Sequence, residues 1–194
     1  IATGAVTPTG KLAQNWPAST GQIGSGSNPW YKHINGKWIS NGKGRYYGYE
    51  NHDFTQATPL FYFGFGLSYT TFEYDIVALT LSSTAQTAIE AARGIVAALT
   101  VNVTNVGSID GNEIVQVYVT DPTPSQVVRY YKRLAGFAKV SIARGETAQV
   151  DIDLLAEDLA YHGRDMTFAV APGTYTITVG SSSDQDNASV FVTI

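Results

Sequence analysis

Residues 99–104 read LTVNVT and residues 115–120 read VQVYVT, so leucine or valine occupies every second position in both runs. Such a period of two is typical of β-strands that bury one face in a core. The alternation recurs in three later runs, at 149–154, 175–179 and 190–194. Seven or eight strands at this spacing predict an all-β, antiparallel sandwich.

Turn sequences divide the strand-like runs and refine the predicted sandwich. They include Asp110-Gly111, Arg144-Gly145 and Pro172-Gly173, dipeptides that favour tight turns. Pro172-Gly173-Thr174-Tyr175 opens a strand with the spacing of the tyrosine corner in immunoglobulin-like sandwiches, so we interpret Tyr175 as structural. The window 85–93 predicts either a short helix or a loop between two strands.

The first 59 residues lack both the strand and the helix period and are rich in Gly, Asn, Ser, Tyr and Trp. We interpret them as a long, extended, mostly irregular arm. A segment of this length is uncommon in a compact domain unless it is functional or contacts another domain, because its backbone needs hydrogen-bond partners. The predicted organisation is an arm at 1–59, a Phe-Gly-rich segment at 60–74 and a sandwich at 75–194.

Composition excludes several classes of function. Twelve basic and 16 acidic residues give a net charge of −4 without a block of like charges, which argues against a nucleic-acid partner. No apolar run reaches the roughly 18 residues that a membrane span needs. The sequence has no cysteine, and His33, His52 and His162 lack metal-ligand spacing. We therefore expect no metal and no cofactor.

Three stretches carry distinctive motifs: PTGKL at 8–12 followed by Trp16-Pro17, YFGFGLSYTTF at 62–72, and GNEIVQVYV at 111–119 followed by LAGFAKV at 134–140. Together they resemble glycoside hydrolase family 3, and in particular its β-glucosidases. The resemblance implies that residues 75–194 form the fibronectin type III-like domain of that family. Departures include Ala13, where the family usually has proline, and Arg133, where it usually has glutamate.

The resemblance also implies a function. Enzymes of this kind remove terminal β-D-glucosyl residues with retention, using one carboxylate on a barrel domain and a second usually on an α/β-sandwich domain. Both would precede Ile1, so we expect no catalytic residue in this chain. Its partners would be those two domains, which it would brace, with a carbohydrate as the substrate of the whole enzyme. We expect a secreted or periplasmic location.

Alternative functions remain open at this stage. The whole enzyme could be a β-xylosidase of the same family. The chain could instead be a fibronectin-like module that binds polysaccharide or lignin through exposed aromatic rings. An immunoglobulin-type adhesion domain would fit the sandwich but would leave the first seventy residues unexplained.

Candidate substrate-binding residues lie in the aromatic part of the arm. They are Trp30, Tyr31, Trp38, Arg45, Tyr46 and Tyr47. These rings could line an outer substrate subsite, or they could attach the arm to the catalytic domains, since Trp and Tyr are favoured at interfaces. An Arg-containing family motif close to GYRYYD aligns either with Tyr49 to Asp53 or with Arg45-Tyr46-Tyr47, and both alignments remain open.

Single acidic residues and two sequons complete the candidates. Glu50 and Asp53 lie in a polar loop, where an acidic side chain is usually solvated rather than catalytic. Glu113, Asp151, Asp153, Glu157 and Asp158 are predicted on the solvated face of the sandwich, and the acidic turn at 184–187 is predicted to be a solvated hairpin tip. Asn102 and Asn187 stand in N-x-Ser/Thr sequons that would permit N-glycosylation.

Overall fold

The computed structural model describes residues 3–4, 6–19, 22, 31–34, 37–40, 48–122, 127, 132–184 and 187–194, with the backbone alone at 31–34, 37–40 and 54. Within these ranges, two antiparallel sheets form a sandwich. Their strands are β3 Phe72–Leu81, β4 Ile95–Asn105, β5 Gly111–Thr120, β6 Arg133–Ile142, β7 Thr147–Leu155, β10 Thr174–Gly180 and β11 Ala188–Thr193. The first sheet has the order β3-β4-β7 and the second has the order β11-β10-β5-β6.

The core lies between the two sheets and is built by the residues that the alternation placed there. Leu99, Val101 and Val103 of β4 have no exposed surface, and Val115 and Val117 of β5 likewise have none. Burying such side chains stabilises the fold by about 1.5–3 kcal/mol each. The predicted antiparallel sandwich is confirmed.

The tyrosine corner forms at the start of β10. Tyr175 is fully buried, and its hydroxyl donates to the backbone oxygen of Ala171 at 2.9 Å. Gly173, with φ of +147°, lets the loop pass Pro122, whose Cβ would lie 2.7 Å from a Cβ at this position. The structural role predicted for Tyr175 is therefore confirmed.

Helices and short hairpins fill the connections of the sandwich. Between β3 and β4 the chain forms a helix at Ala85–Ala91. The window 85–93, predicted to be either a short helix or a loop, is therefore mainly helical. Ala85 and Ala88 bury one side of this helix in the core. A one-turn helix at Ala156–Leu159 leads into the hairpin β8–β9, formed by Ala160–His162 and Phe168–Val170.

The arm contains more regular structure than its sequence predicts. Tyr31–Ile34 and Lys37–Ser40 form an antiparallel hairpin, β1–β2, and Gly48–Thr55 forms a helix, α1. Its sequence, GYENHDFT, lacks the apolar stripe by which an amphipathic helix is recognised. The pattern therefore gave no signal for it. Across the described ranges, no helix combines the length and the apolar character that crossing a membrane would require.

The arm folds back along the Phe-Gly-rich segment. Leu12 N–H donates to Phe65 O at 2.8 Å, Gly64 N–H donates to Leu12 O at 2.8 Å, and Trp16 N–H donates to Phe61 O at 2.7 Å. We expected the arm to find its backbone partners on another domain. These groups instead find them inside this chain, so residues 12–16 and 61–65 run together as a short antiparallel ribbon.

Candidate functional site: the joint between arm and sandwich

Gln116 of β5 connects the sandwich to the Phe-Gly-rich segment. Its side chain is 3% exposed, and its amide nitrogen donates to Gly64 O at 3.2 Å and to Ser181 O at 2.6 Å. The amide oxygen accepts from the Tyr118 hydroxyl at 2.6 Å. The buried amide thus has partners for both its nitrogen and its oxygen, as burial of a polar group requires.

Only glycine fits at position 64. Its φ is +78°, a conformation that costs other residues energy, and a Cβ built there would overlap Gln116 Oε1. The neighbouring Phe63 O accepts from Ser183 N–H at 2.9 Å. The backbone of this segment therefore lies directly on the outer surface of the β5–β10 sheet.

The outer face of β5 is consequently buried at Gln116 and Tyr118, which corrects the predicted half-buried strand at these two positions. Tyr118 is only 1% exposed. On the opposite face of the strand, Val115 and Val117 are in the core. The arm and the Phe-Gly-rich segment act as a third layer over this part of the sheet. The alternation in β5 could not indicate such a layer, because the layer is formed by residues more than fifty positions earlier in the chain.

Tyr49 anchors helix α1 to the same face. Its ring stacks on Phe63 at 4.6 Å between centroids and meets the edge of Tyr118 at 6.2 Å, and its hydroxyl accepts from Leu134 N–H at 2.9 Å. Burial raises the pKa of Tyr49 to about 12, against a smaller lowering by the Leu134 hydrogen bond. Phe63 is thus covered by Tyr49, and the Phe65 ring lies 4.9 Å from that of Phe61.

A buried ion pair joins the start of the arm to β5. Lys11 Nζ lies 2.7 Å from Glu113 Oε1, and the two side chains are 14% and 5% exposed. The prediction that Glu113 lies on the solvated face is wrong. Glu113 has the same alternation phase as Val115 and Val117, so the period itself placed it inward, and Lys11 neutralises its charge there. Asp151 and Asp153, by contrast, are exposed as predicted.

Further charged and aromatic groups border this joint. Lys132 Nζ lies 5.4 Å from the centre of the Tyr118 ring. A guanidinium nitrogen of Arg133 lies 3.7 Å from a carboxylate oxygen of Asp121. Burial raises the pKa of Tyr74, with the nearby charge of Glu113 as the second cause. These contacts suit a rigid structural joint rather than a reaction centre, because Glu113 is held by Lys11 and enclosed.

Only two residues of the predicted aromatic site, Tyr31 and Trp38, lie in the described part of the chain. Trp30, Arg45, Tyr46 and Tyr47 lie outside the described residues. Tyr31 and Trp38 lie on the β1–β2 hairpin, where Tyr31 pairs with Ser40 and Trp38 pairs with His33. Whether these residues form a sugar subsite stays a prediction.

The remaining acidic and histidine candidates fall in separate places. Glu50 and Asp53 belong to α1 rather than to the predicted loop. His52 is buried, with its Nδ1 2.6 Å from the Asn15 side-chain nitrogen. In the described ranges, no three His, Cys, Asp or Glu side chains are grouped so that they could hold a metal ion.

An apolar groove lies along the ribbon formed by residues 12–16 and 61–65. It has a volume of about 270 Å³ and is lined by Gly10, Leu12, Trp16, Phe61, Phe65, Gly66 and Leu67. At its rim Leu67 is 72% exposed and Trp16 is 49% exposed, and Leu60 and Tyr69 nearby are 60% and 48% exposed. Clustered apolar exposure of this kind marks an interaction surface.

This chain is similar to one domain family and to several glycosidases. The fibronectin type III-like domain family matches residues 113–183. A β-xylosidase of Formosa agariphila is 40% identical over 184 residues, which are 95% of this chain and 23% of that protein. A periplasmic β-glucosidase of Salmonella typhimurium is 35% identical over 91% of this chain and 21% of its own length.

Solved structures agree with the sequence relatives. DesR, a β-glucosidase from Streptomyces venezuelae solved with D-glucose, superposes with a TM-score of 0.85 at 30% identity, over 98% of this chain and 23% of DesR. The family 3 β-glucosidase of Bifidobacterium adolescentis gives 0.81 at 33% identity, over all of this chain and 27% of that enzyme. This chain corresponds to the C-terminal region of glycoside hydrolase family 3 enzymes. It spans about a quarter of the length of the relatives named here.

The stretches that carried the resemblance contact one another. Lys11 of the first stretch pairs with Glu113 of the third, and Gly64 of the second contacts Gln116 of the third. The three stretches are recognisable one by one in the sequence, but nothing in their patterns predicts that they meet. An available signal was the inward phase of Glu113, since a buried carboxylate requires a cation or hydrogen-bond donors nearby.

Proposed function

We propose that this chain is the non-catalytic C-terminal segment of a retaining β-glycosidase and that it braces the barrel and α/β-sandwich domains of that enzyme. In the whole enzyme, those domains would hydrolyse terminal β-D-glucosyl residues. The observation that carries the proposal is the apolar groove with its exposed rim at Leu67 and Trp16. The greater length of the relatives is consistent with a further domain that would cover it.

The joint described above supports this bracing role. A segment can hold two neighbouring domains in fixed positions only if its own parts form one rigid unit. The arm and the Phe-Gly-rich segment are attached to the sandwich by the ion pair of Lys11, the ring contact of Tyr49 with Tyr118 and the buried hydrogen bond to Gly64. A domain docked in the groove would therefore be held against the whole sandwich.

Matched substitutions in the whole enzyme test the bracing role. Leu67→Asp puts a charge at the rim of the groove, and Leu81→Asp makes the same change at a leucine that is 51% exposed at the end of β3. In the isolated chain both should stay within about 0.5 kcal/mol of the parent, as is usual for exposed positions. In the whole enzyme we expect Leu67→Asp to lower the thermal midpoint and the activity more than Leu81→Asp. Equal effects would contradict bracing through the groove.

The sugar at the active site stays open between glucose and xylose. The 40% identity to a β-xylosidase favours keeping β-xylosidase as the second candidate, beside the β-glucosidase activity named for other relatives. Assays of the whole enzyme on aryl β-glucoside and aryl β-xyloside decide between them. The isolated chain should hydrolyse neither substrate.

We further propose an outer substrate subsite at Trp30, Tyr31, Trp38, Arg45, Tyr46 and Tyr47. Aromatic rings offer the flat apolar surface on which a sugar ring can stack. Trp38→Ala in the whole enzyme would then raise KM for a longer oligosaccharide and leave KM for an aryl glycoside unchanged. An equal change in both would favour the alternative, in which these rings attach the arm to the catalytic domains.

A secreted or periplasmic location and a role in polysaccharide degradation complete the proposal. The location is supported by the relative that is named periplasmic. Fractionation of the source cells, followed by detection of this chain with an antibody, tests it. Retention in the cytoplasm would contradict it.

A further inference from the structure

A second cleft lies at the β8–β9 hairpin. Its volume is about 450 Å³, and all of its lining comes from residues 161–172. That size falls in the range of small-molecule sites, about 300–1,000 Å³. None of its lining residues takes part in the arm joint or the apolar groove.

One face of the hairpin provides an aromatic wall beside small side chains. Tyr161 pairs with Ala169 across the hairpin, and Gly163, Ala169 and Ala171 all line the cleft. Their small size leaves open space next to the half-buried Tyr161 ring. His162 and Phe168 point to the other face, where their rings lie 5.0 Å apart.

The rim carries groups of both charges, and one of them is fixed in place. The Asp165 carboxylate accepts from Thr167 N–H at 3.1 Å and from the Thr167 hydroxyl at 2.8 Å, which lowers the pKa of Asp165. A Cβ at Gly163 would lie 2.8 Å from Asp165 Oδ1, so glycine permits this arrangement. Arg164 adds a planar set of donors to the rim.

The part of the lining at Ala171 and Pro172 is held in place by hydrogen bonds at and beside it. The Ala171 carbonyl is held by the Tyr175 hydroxyl at 2.9 Å. Gly173 and Ile194 exchange two backbone hydrogen bonds of 2.9 and 3.0 Å. A wall fixed in this way loses little conformational freedom when a ligand binds, which favours affinity.

We propose that this cleft binds one pyranose ring of a neutral oligosaccharide. A pyranose has apolar C–H faces that suit the Tyr161 ring, and hydroxyls that both donate and accept. The guanidinium of Arg164 supplies donors, and the carboxylate of Asp165 supplies acceptors. Their opposite charges favour a neutral sugar over a charged one. The site is independent of the bracing role and would add carbohydrate binding to it.

Titration of the ¹⁵N-labelled 194-residue chain with cellohexaose, and separately with xylohexaose, tests the proposal by NMR. We expect saturable shifts of the amide signals of residues 161–172 with at least one of the two sugars. Tyr161→Ala should weaken this binding at least about tenfold. Phe168→Ala, on the other face of the same hairpin, should leave it within about twofold.

Arg164→Ala provides a second variant at an exposed position, in case Tyr161→Ala disturbs the fold. It too should weaken binding. Absence of saturable shifts with both sugars would overturn the proposal, and so would equal losses in Phe168→Ala and Arg164→Ala. None of these outcomes bears on the Leu67 experiment, so failure of this site and failure of the bracing role are distinguishable.

Discussion

The ammonium group of Lys11 lies 2.7 Å from the carboxylate of Glu113, and both side chains are largely buried. This pair fixes the start of the arm to the start of core strand β5. Removing one member of a buried pair leaves the other charge without compensation, which typically costs about 3–5 kcal/mol. The pair therefore holds arm and sandwich together in one structural unit.

Breaking the pair should reveal its contribution to stability. We expect Lys11→Met to lower the free energy of unfolding by about 3 kcal/mol, because Glu113 stays buried and charged. Lys11→Met combined with Glu113→Gln should cost less than the sum of the two single changes. Urea denaturation of the four proteins measures this. Additive losses would contradict a direct interaction.

Two glycines with the same backbone angle isolate the contact between Gly64 and Gln116. Gly64 and Gly145 both have φ of +78°, but a Cβ at Gly145 would meet nothing within 4 Å. Gly145→Ala should cost about 1–2 kcal/mol from the left-handed conformation alone. Gly64→Ala should cost about 1–3 kcal/mol more because of the overlap. Equal losses in urea denaturation would show that the segment does not lie on Gln116.

Alkaline pH should lower the free energy of unfolding through the ionisation of Tyr49. Burial raises the pKa of Tyr49 from 10.0 to about 12, so the folded state keeps a proton that the unfolded state loses. The contribution to stability is therefore complete below about pH 10 and is lost as the pH rises to about 12. The loss should not exceed about 1.4 kcal/mol per pH unit.

Urea midpoints measured across this pH range test the assignment to Tyr49. In Tyr49→Phe the fall in stability should be shallower than in the parent chain. The comparison concerns slopes, because the variant also loses the hydrogen bond from Leu134. Identical slopes would place the titration elsewhere.

The two sequons should differ in their use. Asn187 is exposed just before β11, whereas Asn102 lies within the central strand β4, between Asp75 of β3 and Gln149 of β7. If the chain is produced in a eukaryotic secretory host, we expect N-glycosylation at Asn187 and little at Asn102. Mass measurement before and after glycosidase treatment checks this. A glycan on Asn102 alone would contradict it.

The sandwich was predictable because its information is local. Alternation at 99–104 and 115–120 identified the core strands, and Pro172-Gly173-Thr174-Tyr175 indicated the corner that Tyr175 forms. Each of these patterns depends on residues close together in sequence. The same patterns could not show that the second face of β5 is covered.

The joint was not predictable from such patterns, because its contacts join distant residues. Gln116 alternates with valine as a solvated residue would, and only the return of Gly64 to this surface buries it. Helix α1 is polar and short, so its position depends on the Tyr49 ring rather than on an apolar stripe. The substrate-binding role of the aromatic arm stays a prediction.

Cysteine labelling at position 67 tests the central claim most directly, since the chain contains no cysteine of its own. Leu67→Cys and Leu81→Cys would each be treated with a maleimide, in the isolated chain and in the whole enzyme, and followed by peptide mass measurement. We expect both positions to react readily in the isolated chain. In the whole enzyme, position 67 should react at least about tenfold more slowly, relative to position 81. An unchanged ratio of rates would contradict a brace that docks through the apolar groove.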